Sequence, residues 1–173
     1  VRFQGENWAA IFFAFALYSI NLSQISSSAL RWFLLAGICS GLAFDFRYQM
    51  ALAVMGLGAW LLFYRKVNGM QTLVLMAGFL SMVVLEVLLD RWFYGNWVFT
   101  PYNYFYQNQI AGVAASFGVS PVWYYLYLFI VAAIPPLSLA LFAGILISLW
   151  YFRNSMHAWI LLFFVLGHSF IGH

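Results

Sequence analysis

Residues 70–103 read MQTLVLMAGFLSMVVLEVLLDRWFYGNWVFTPYN, and the two halves of this stretch suit different solvents. The first part, Met70 to Leu89, carries a single charge, Glu86. At about 1.5 Å rise per residue it is long enough for a hydrocarbon core, which takes roughly 20 apolar residues. The second part, Asp90 to Asn103, combines charge, aromatic rings, Gly95 and Pro101. Gly95 and Pro101 are expected to stop the helix, and Trp92, Tyr94, Trp97 and Tyr102 are ring types that settle at the headgroup level. Here the chain leaves the membrane and stays near its surface.

The rest of the chain agrees with that reading. With 66% hydrophobic and 6% charged residues it has too little polar surface to face water. It is therefore expected to be an all-α, polytopic transmembrane bundle. A net charge of +3, scattered along the chain without a basic stripe, argues against a nucleic-acid partner. The single Cys39 lies in an apolar run and reads as a small buried hydrophobe. No spacing of metal or haem ligands is present, and nothing visible requires a cofactor. Val1 is not an initiator, and His173 follows directly on an apolar segment. The chain is expected to be one transmembrane domain, 1–173, cut at both ends from a longer protein.

Trp8 to Leu22, Leu30 to Phe44 and Met50 to Tyr64 form the first three apolar runs, each near the lower limit for a crossing, so flanking residues should extend them or the bilayer should thin. Gly37 and Gly41 have the small-residue spacing that lets helices approach closely in lipid. Met70 to Leu89 is the fourth run. Tyr104 to Ser120 is amphiphilic and reads as an interfacial loop or short helix. Val122 to Phe152 is divided by Pro135-Pro136, and Trp159 to Gly172 closes the series, giving about six membrane helices.

Placing the Ser23–Ser28 turn, Arg65-Lys66 and the Arg153-Asn154 turn on one face gathers Arg31, Arg65, Lys66 and Arg153 there without an acid. That face should be cytoplasmic by the positive-inside rule. The opposite face holds Arg2, Arg47 and Arg91 with every acid of the chain: Glu6, Asp45, Glu86 and Asp90. Asn21-Leu22-Ser23 matches a glycosylation sequon, but on the proposed cytoplasmic face it reads as chance.

Glu86 and Asp90, four residues apart, share a helical face with Glu86 about 6 Å deeper. A carboxylate at that depth needs water or a partner, for which Arg47 and Arg91 are the candidates. Two readings stand side by side: a polar cavity with chemistry in it, or an internal ion pair that only fixes packing. Asp45, Arg47 and Gln49 form a second polar rim, where the planar fork of Arg47 suits phosphate. A loop charge that merely ends a helix is the alternative there. His168 reads as a neutral core or interface histidine in preference to a catalytic one.

The run DRWFYGNWVFTPYNYFYQN, followed by Phe117-Gly118 and by Ser120-Pro121 with Trp123-Tyr124-Tyr125, resembles a known family. It is that of the mannosyltransferases that build GPI anchors and lipid-linked oligosaccharides, with their bacterial relatives. Gly5-Glu6-Asn7-Trp8, Phe46-Arg47-Tyr48-Gln49 and Gly172-His173 agree with it. His173 is similar to the first residue of the family's His-Lys-Glu element. The resemblance implies a GT-C fold and transfer of a mannosyl group from a polyprenyl-phosphate-sugar donor to a glycolipid acceptor on the extracytoplasmic face. It further implies that the general-base carboxylate lies in a loop before Val1. For the residues present, it implies donor phosphate contacts at Arg47 and His173, and sugar or acceptor contacts at Glu6, Gln49, Asp90, Tyr102 and Asn103. The compact loops favour a bacterial inner membrane over the endoplasmic reticulum. The rival readings are a transporter using Glu86, Asp90 and Arg47 as a polar pathway, helped by Pro135-Pro136, and a non-catalytic membrane subunit.

Overall fold

The computed structural model describes residues 5–111, 113, 121, 123, 124, 127, 128, 131 and 136–170, and every regular element among them is helical. Helix α1 is Gly5–Ile25, α2 is Ala29–Phe46 and α3 is Met50–Ala59, which runs on through a π-helical turn at Trp60–Tyr64. Helix α4 is Gly69–Tyr94, and α5 is Thr100–Phe105 with a further π turn at Tyr106–Ile110. Helices α6, Leu137–Tyr151, and α7, Met156–Phe170, follow. Among the described residues α1, α2 and α4 are long and apolar enough to cross a membrane, and Met50–Tyr64, Leu137–Tyr151 and Met156–Ser169 are shorter apolar helices.

The flanking residues do extend the first two runs: α1 gains three residues at each end beyond Trp8 to Leu22, and α2 reaches Phe46. Helix α4 begins on a capping box in which Asn68 accepts from the Gln71 amide and Gln71 accepts from the Asn68 amide. It passes Leu89 and stops at Gly95, whose left-handed φ of 72° is a conformation glycine adopts without a Cβ penalty. Pro101 behaves otherwise than expected. It sits in the first turn of α5, where its missing N–H costs nothing, and so it opens a helix where the sequence suggested a stop. Pro136 precedes α6, while Pro135 and 114–120 lie outside the described residues.

Helix α2 packs between α1 and α4, and α3 packs on α7. The core joins Phe13 and Ile20 of α1, Phe33, Ala36 and Ala43 of α2, Ala53, Leu57, Trp60 and Leu61 along α3 and its π turn, and Met156 at the start of α7. The small-residue spacing on α2 marks a real contact. A Cβ placed on Gly37 would stand 2.1 Å from the Leu75 carbonyl oxygen, and one on Gly78 would stand 2.6 Å from the Leu34 carbonyl oxygen. Backbones this close gain dispersion that lipid tails do not offer. Apart from Gly78, α4 has no buried residue, and its apolar surface is that of an integral membrane helix facing hydrocarbon.

Side-chain contacts fix which loops lie together. The Arg65 guanidinium donates to Ser23 Oγ at 3.1 Å and to the Ile20 carbonyl at 3.4 Å, and it lies 5.4 Å over the Phe33 ring. Trp60 Nε1 donates to the Asn154 carbonyl at 2.8 Å. Thus the end of α1, the end of α3 and the α6–α7 turn share one end of the bundle, as the grouping of the basic loops anticipated. Burial holds the Arg65 pKa below its ordinary value.

Replacing Gly37 with Ala should destabilise the full-length protein by about 1–3 kcal/mol, because the added methyl meets backbone that cannot yield. Gly58→Ala, at a position open to at least 4 Å, is the matched control. Thermal unfolding of both variants in detergent measures the difference; equal melting would refute the close α2–α4 contact.

Candidate functional site at the acidic end of the bundle

The end opposite Arg65 is organised by the short turn between α2 and α3. Extended backbone at Arg47 (φ −156°, ψ 107°) breaks the helix, and Met50 N–H returns to the Arg47 carbonyl at 2.9 Å. Three consecutive side chains then reach three different helices. Arg47 Nη1 donates to Glu6 Oε1 of α1 in an ion pair. Tyr48 Oη donates to Glu86 Oε1 of α4 at 2.5 Å. Gln49 Nε2 donates to Tyr104 Oη of α5, also at 2.5 Å.

Rings reinforce the turn on both sides. Phe46 lies 5.6 Å from Phe12 and 6.3 Å from Trp8, both stacked, which holds the start of α1 against the end of α2. Tyr48 lies 5.3 Å from Phe44 and 5.1 Å from Tyr104.

Beside the turn is a cavity of about 430 Å³ between α1, α3 and α7. Its polar groups are Glu6, Arg47, Gln49 and His168, and the rest of its wall is apolar: Ala9, Ala10, Phe13, Ala14 and Leu17 of α1, Met50 of α3 and Phe164 of α7. His168 stacks on Phe164 with centroids 5.4 Å apart and planes within 9°. A cationic fork, an amide and an imidazole at one edge of a greasy slot can hold an anionic head with an apolar tail attached.

Of the residues singled out in the sequence, Glu6, Arg47 and Gln49 come together at this cavity. Asp90 sits apart and accepts a hydrogen bond from Thr100 Oγ1. Tyr102 and Asn103 are exposed on α5, two and one residues before the Tyr104 that Gln49 reaches. His173 lies outside the described residues. The partner expected for Glu86 is corrected: Arg47 pairs with Glu6, Arg91 lies 5.5 Å over the Trp97 ring, and Glu86 instead takes the Tyr48 hydroxyl. Each arginine is engaged elsewhere, with Glu6 and with Trp97. Sequence reasoning missed Tyr48, Tyr104 and the cavity position of His168. Only the adjacency of Tyr48 to Arg47 was a signal for the first; the other two depend on Gln49 reaching Tyr104, 55 residues on, and on α7 returning to the start of α1 and α3, which no local pattern encodes.

Fold and site together define a helical integral membrane protein whose acidic groups gather at one end, beside a largely apolar slot. The chain belongs to the Alg9-like mannosyltransferase family, whose sequence profile it matches over residues 7–173. A relative in Schizosaccharomyces pombe, described as a "Probable Dol-P-Man:Man(7)GlcNAc(2)-PP-Dol alpha-1,6-mannosyltransferase", is 30% identical over 129 residues. That match covers 73% of this chain and 23% of the relative, so the chain spans about a quarter of the relative's length. No solved structure is significantly similar.

The Tyr48 hydroxyl is held well above its ordinary pKa, first by burial, then by its hydrogen bond to Glu86 and by the negative charge of Glu86, Asp90 and Asp45. A raised folded pKa on an acid means that the proton is held more tightly in the folded state. The stability it contributes is fully present below the ordinary value of 10 and is lost as pH rises beyond it toward the folded value. Melting of the full-length protein should therefore fall more steeply in wild type than in Tyr48→Phe as pH rises from about half a unit below the ordinary value of 10 to about one unit above it. Parallel curves would show that Tyr48 does not titrate differently on folding.

Proposed function

We propose that this chain is part of a membrane glycosyltransferase that moves a mannosyl group from a polyprenyl-phosphate-linked donor to a glycolipid acceptor at the extracytoplasmic face. The observation that carries the reading is the slot beside the α2–α3 turn, polar at Glu6, Arg47 and Gln49 and apolar along α1 and Phe164. A polyprenyl phosphate has the same division, with a dianionic or esterified phosphate at the head and isoprene units behind. The donor and acceptor named in the fission-yeast relative are of these two classes.

In this reading Arg47 and His173 contact the donor phosphate, and Glu6, Gln49, Asp90, Tyr102 and Asn103 contact sugar or acceptor. The chemistry divides in two. A carboxylate from a part of the enzyme before Val1 takes the proton of the acceptor hydroxyl, and the cationic groups stabilise the phosphate as it departs. The ion pair between Arg47 and Glu6 is exposed at both partners, so it holds the guanidinium at the mouth weakly enough for a phosphate to replace the carboxylate.

The acidic end is the outer one on the positive-inside argument, since Arg31, Arg65, Lys66 and Arg153 belong to the other end. Compact loops were the sequence's case for a bacterial inner membrane; the relative is a yeast protein and lends that location no support. Among the described residues the charges other than Glu86, which lies two turns inside α4, keep to the helix ends, which fits a rim site better than the midplane site of a transporter.

Arg47→Ala in the full-length enzyme should lower transfer from polyprenyl-phosphate-mannose by about a hundredfold, the usual size for losing one stabilising donor. Arg47→Lys should restore part of it, because charge returns without the planar fork. Transfer rates in membranes carrying equal amounts of enzyme decide the matter; wild-type turnover in Arg47→Ala would take Arg47 out of the site.

A further inference from the structure

Tyr48 lies between the two groups of residues to which the proposed function assigns contacts, yet it is not among the residues that line the slot. Its hydroxyl is bound to Glu86, one ring neighbour is Phe44 near the end of α2, and the other is Tyr104 of α5. Tyr104 in turn accepts from Gln49, which lines the slot. The turn that presents Arg47 and Gln49 is thus fastened on one side to α4 and on the other to the helix that carries Tyr102 and Asn103.

We infer that Tyr48 is a positioning residue, and that its hydrogen bond to Glu86 clamps the Arg47–Gln49 turn so that the slot and the α5 rim keep a fixed separation. The inference rests on the transferase reading for its effect on turnover, while the clamp itself is a property of the fold. The physical case is one of leverage. Arg47, Tyr48 and Gln49 share one short turn, so a shift of Tyr48 displaces both neighbours together. A hydrogen bond to a carboxylate is also stronger than one between neutral groups. The ring contacts alone leave the turn free to slide along Tyr104, because tilted aromatic pairs are weakly directional. The Glu86 bond removes that freedom. Glu86 therefore acts through Tyr48 without meeting substrate.

The test uses the full-length enzyme in nanodiscs with polyprenyl-phosphate-mannose as the donor. Tyr48→Phe keeps the ring and removes only the hydroxyl, and it should raise the donor KM about tenfold with a smaller change in kcat, as loss of a binding geometry does. Glu86→Ala should match it, and the double variant should be no worse than either single one, since both remove the same bond. Glu86→Gln, whose amide oxygen still accepts, should stay within about threefold of wild type. A normal kcat/KM in Tyr48→Phe, or losses that add in the double variant, would overturn the positioning role. Hydrogen exchange gives a substrate-free reading: Tyr48→Phe should expose the amides of 48–52 and of 100–105 together, and unchanged protection would overturn the clamp. Wild-type enzyme that transfers nothing from any polyprenyl-phosphate sugar would sink the transferase reading and the kinetic role with it, while the exchange result would still decide the clamp.

Discussion

A carboxylate or guanidinium in hydrocarbon has no water to solvate it, and the placement of these groups follows from that single constraint. All four acids of the chain belong to one end of the bundle, where three of them meet a donor from another element: Glu6 from Arg47, Glu86 from Tyr48 and Asp90 from Thr100. At the other end, Arg65 meets the Ser23 hydroxyl and the Ile20 carbonyl of α1. Between these ends the helices present Ala, Gly, Leu, Ile and Phe to one another and to lipid. Polar chemistry has nowhere else to go, so a site at one rim is a consequence of the solvent as much as of selection for catalysis.

Much of this was legible in the chain. Runs of apolar residues gave the helices, Gly95 gave the end of α4, and the segregation of acids from basic loops gave the grouping of loops at one end that the Arg65–Ser23 and Trp60–Asn154 contacts bear out. Arg47 and Gln49 were legible as a polar knot between two apolar runs. What was not legible is who meets whom. Glu86 was matched to an arginine by charge alone, but reach decides, and Tyr48 stands opposite Glu86 while Arg47 turns toward α1. Pro101 was read as a stop because proline breaks a helix interior; at the first turn of a helix the same missing N–H is harmless.

His168 shows the other kind of limit. Its place in the sequence, near the end of an apolar run, favours a packing role, and its stacking on Phe164 fulfils one. The same ring also borders the slot with Glu6, Arg47 and Gln49, because α7 packs antiparallel to α3 and brings its end to the acidic rim. Packing and lining are not alternatives for a residue at the edge of a cavity.

The register of α2 on α4 explains why the α2–α3 turn, rather than another loop, gathers these partners. Contacts climb the two helices in step: Gly37 lies against Leu75 and Phe79, Gly41 against Phe79 and Met82, and Tyr48, one residue beyond the break at Arg47, against Glu86. The helices run parallel, so each successive turn of α2 meets the next turn of α4. Without a Cβ at Gly37, Gly41 and Gly78 the backbones come close enough for a phenol at the end of α2 to span the gap to a carboxylate within α4. A side chain at these glycines would push the helices apart along their whole length, and the polar end would lose its geometry even though no polar residue had changed. The apolar contact in the middle of the membrane therefore sets the reach of the hydrogen bonds at its edge.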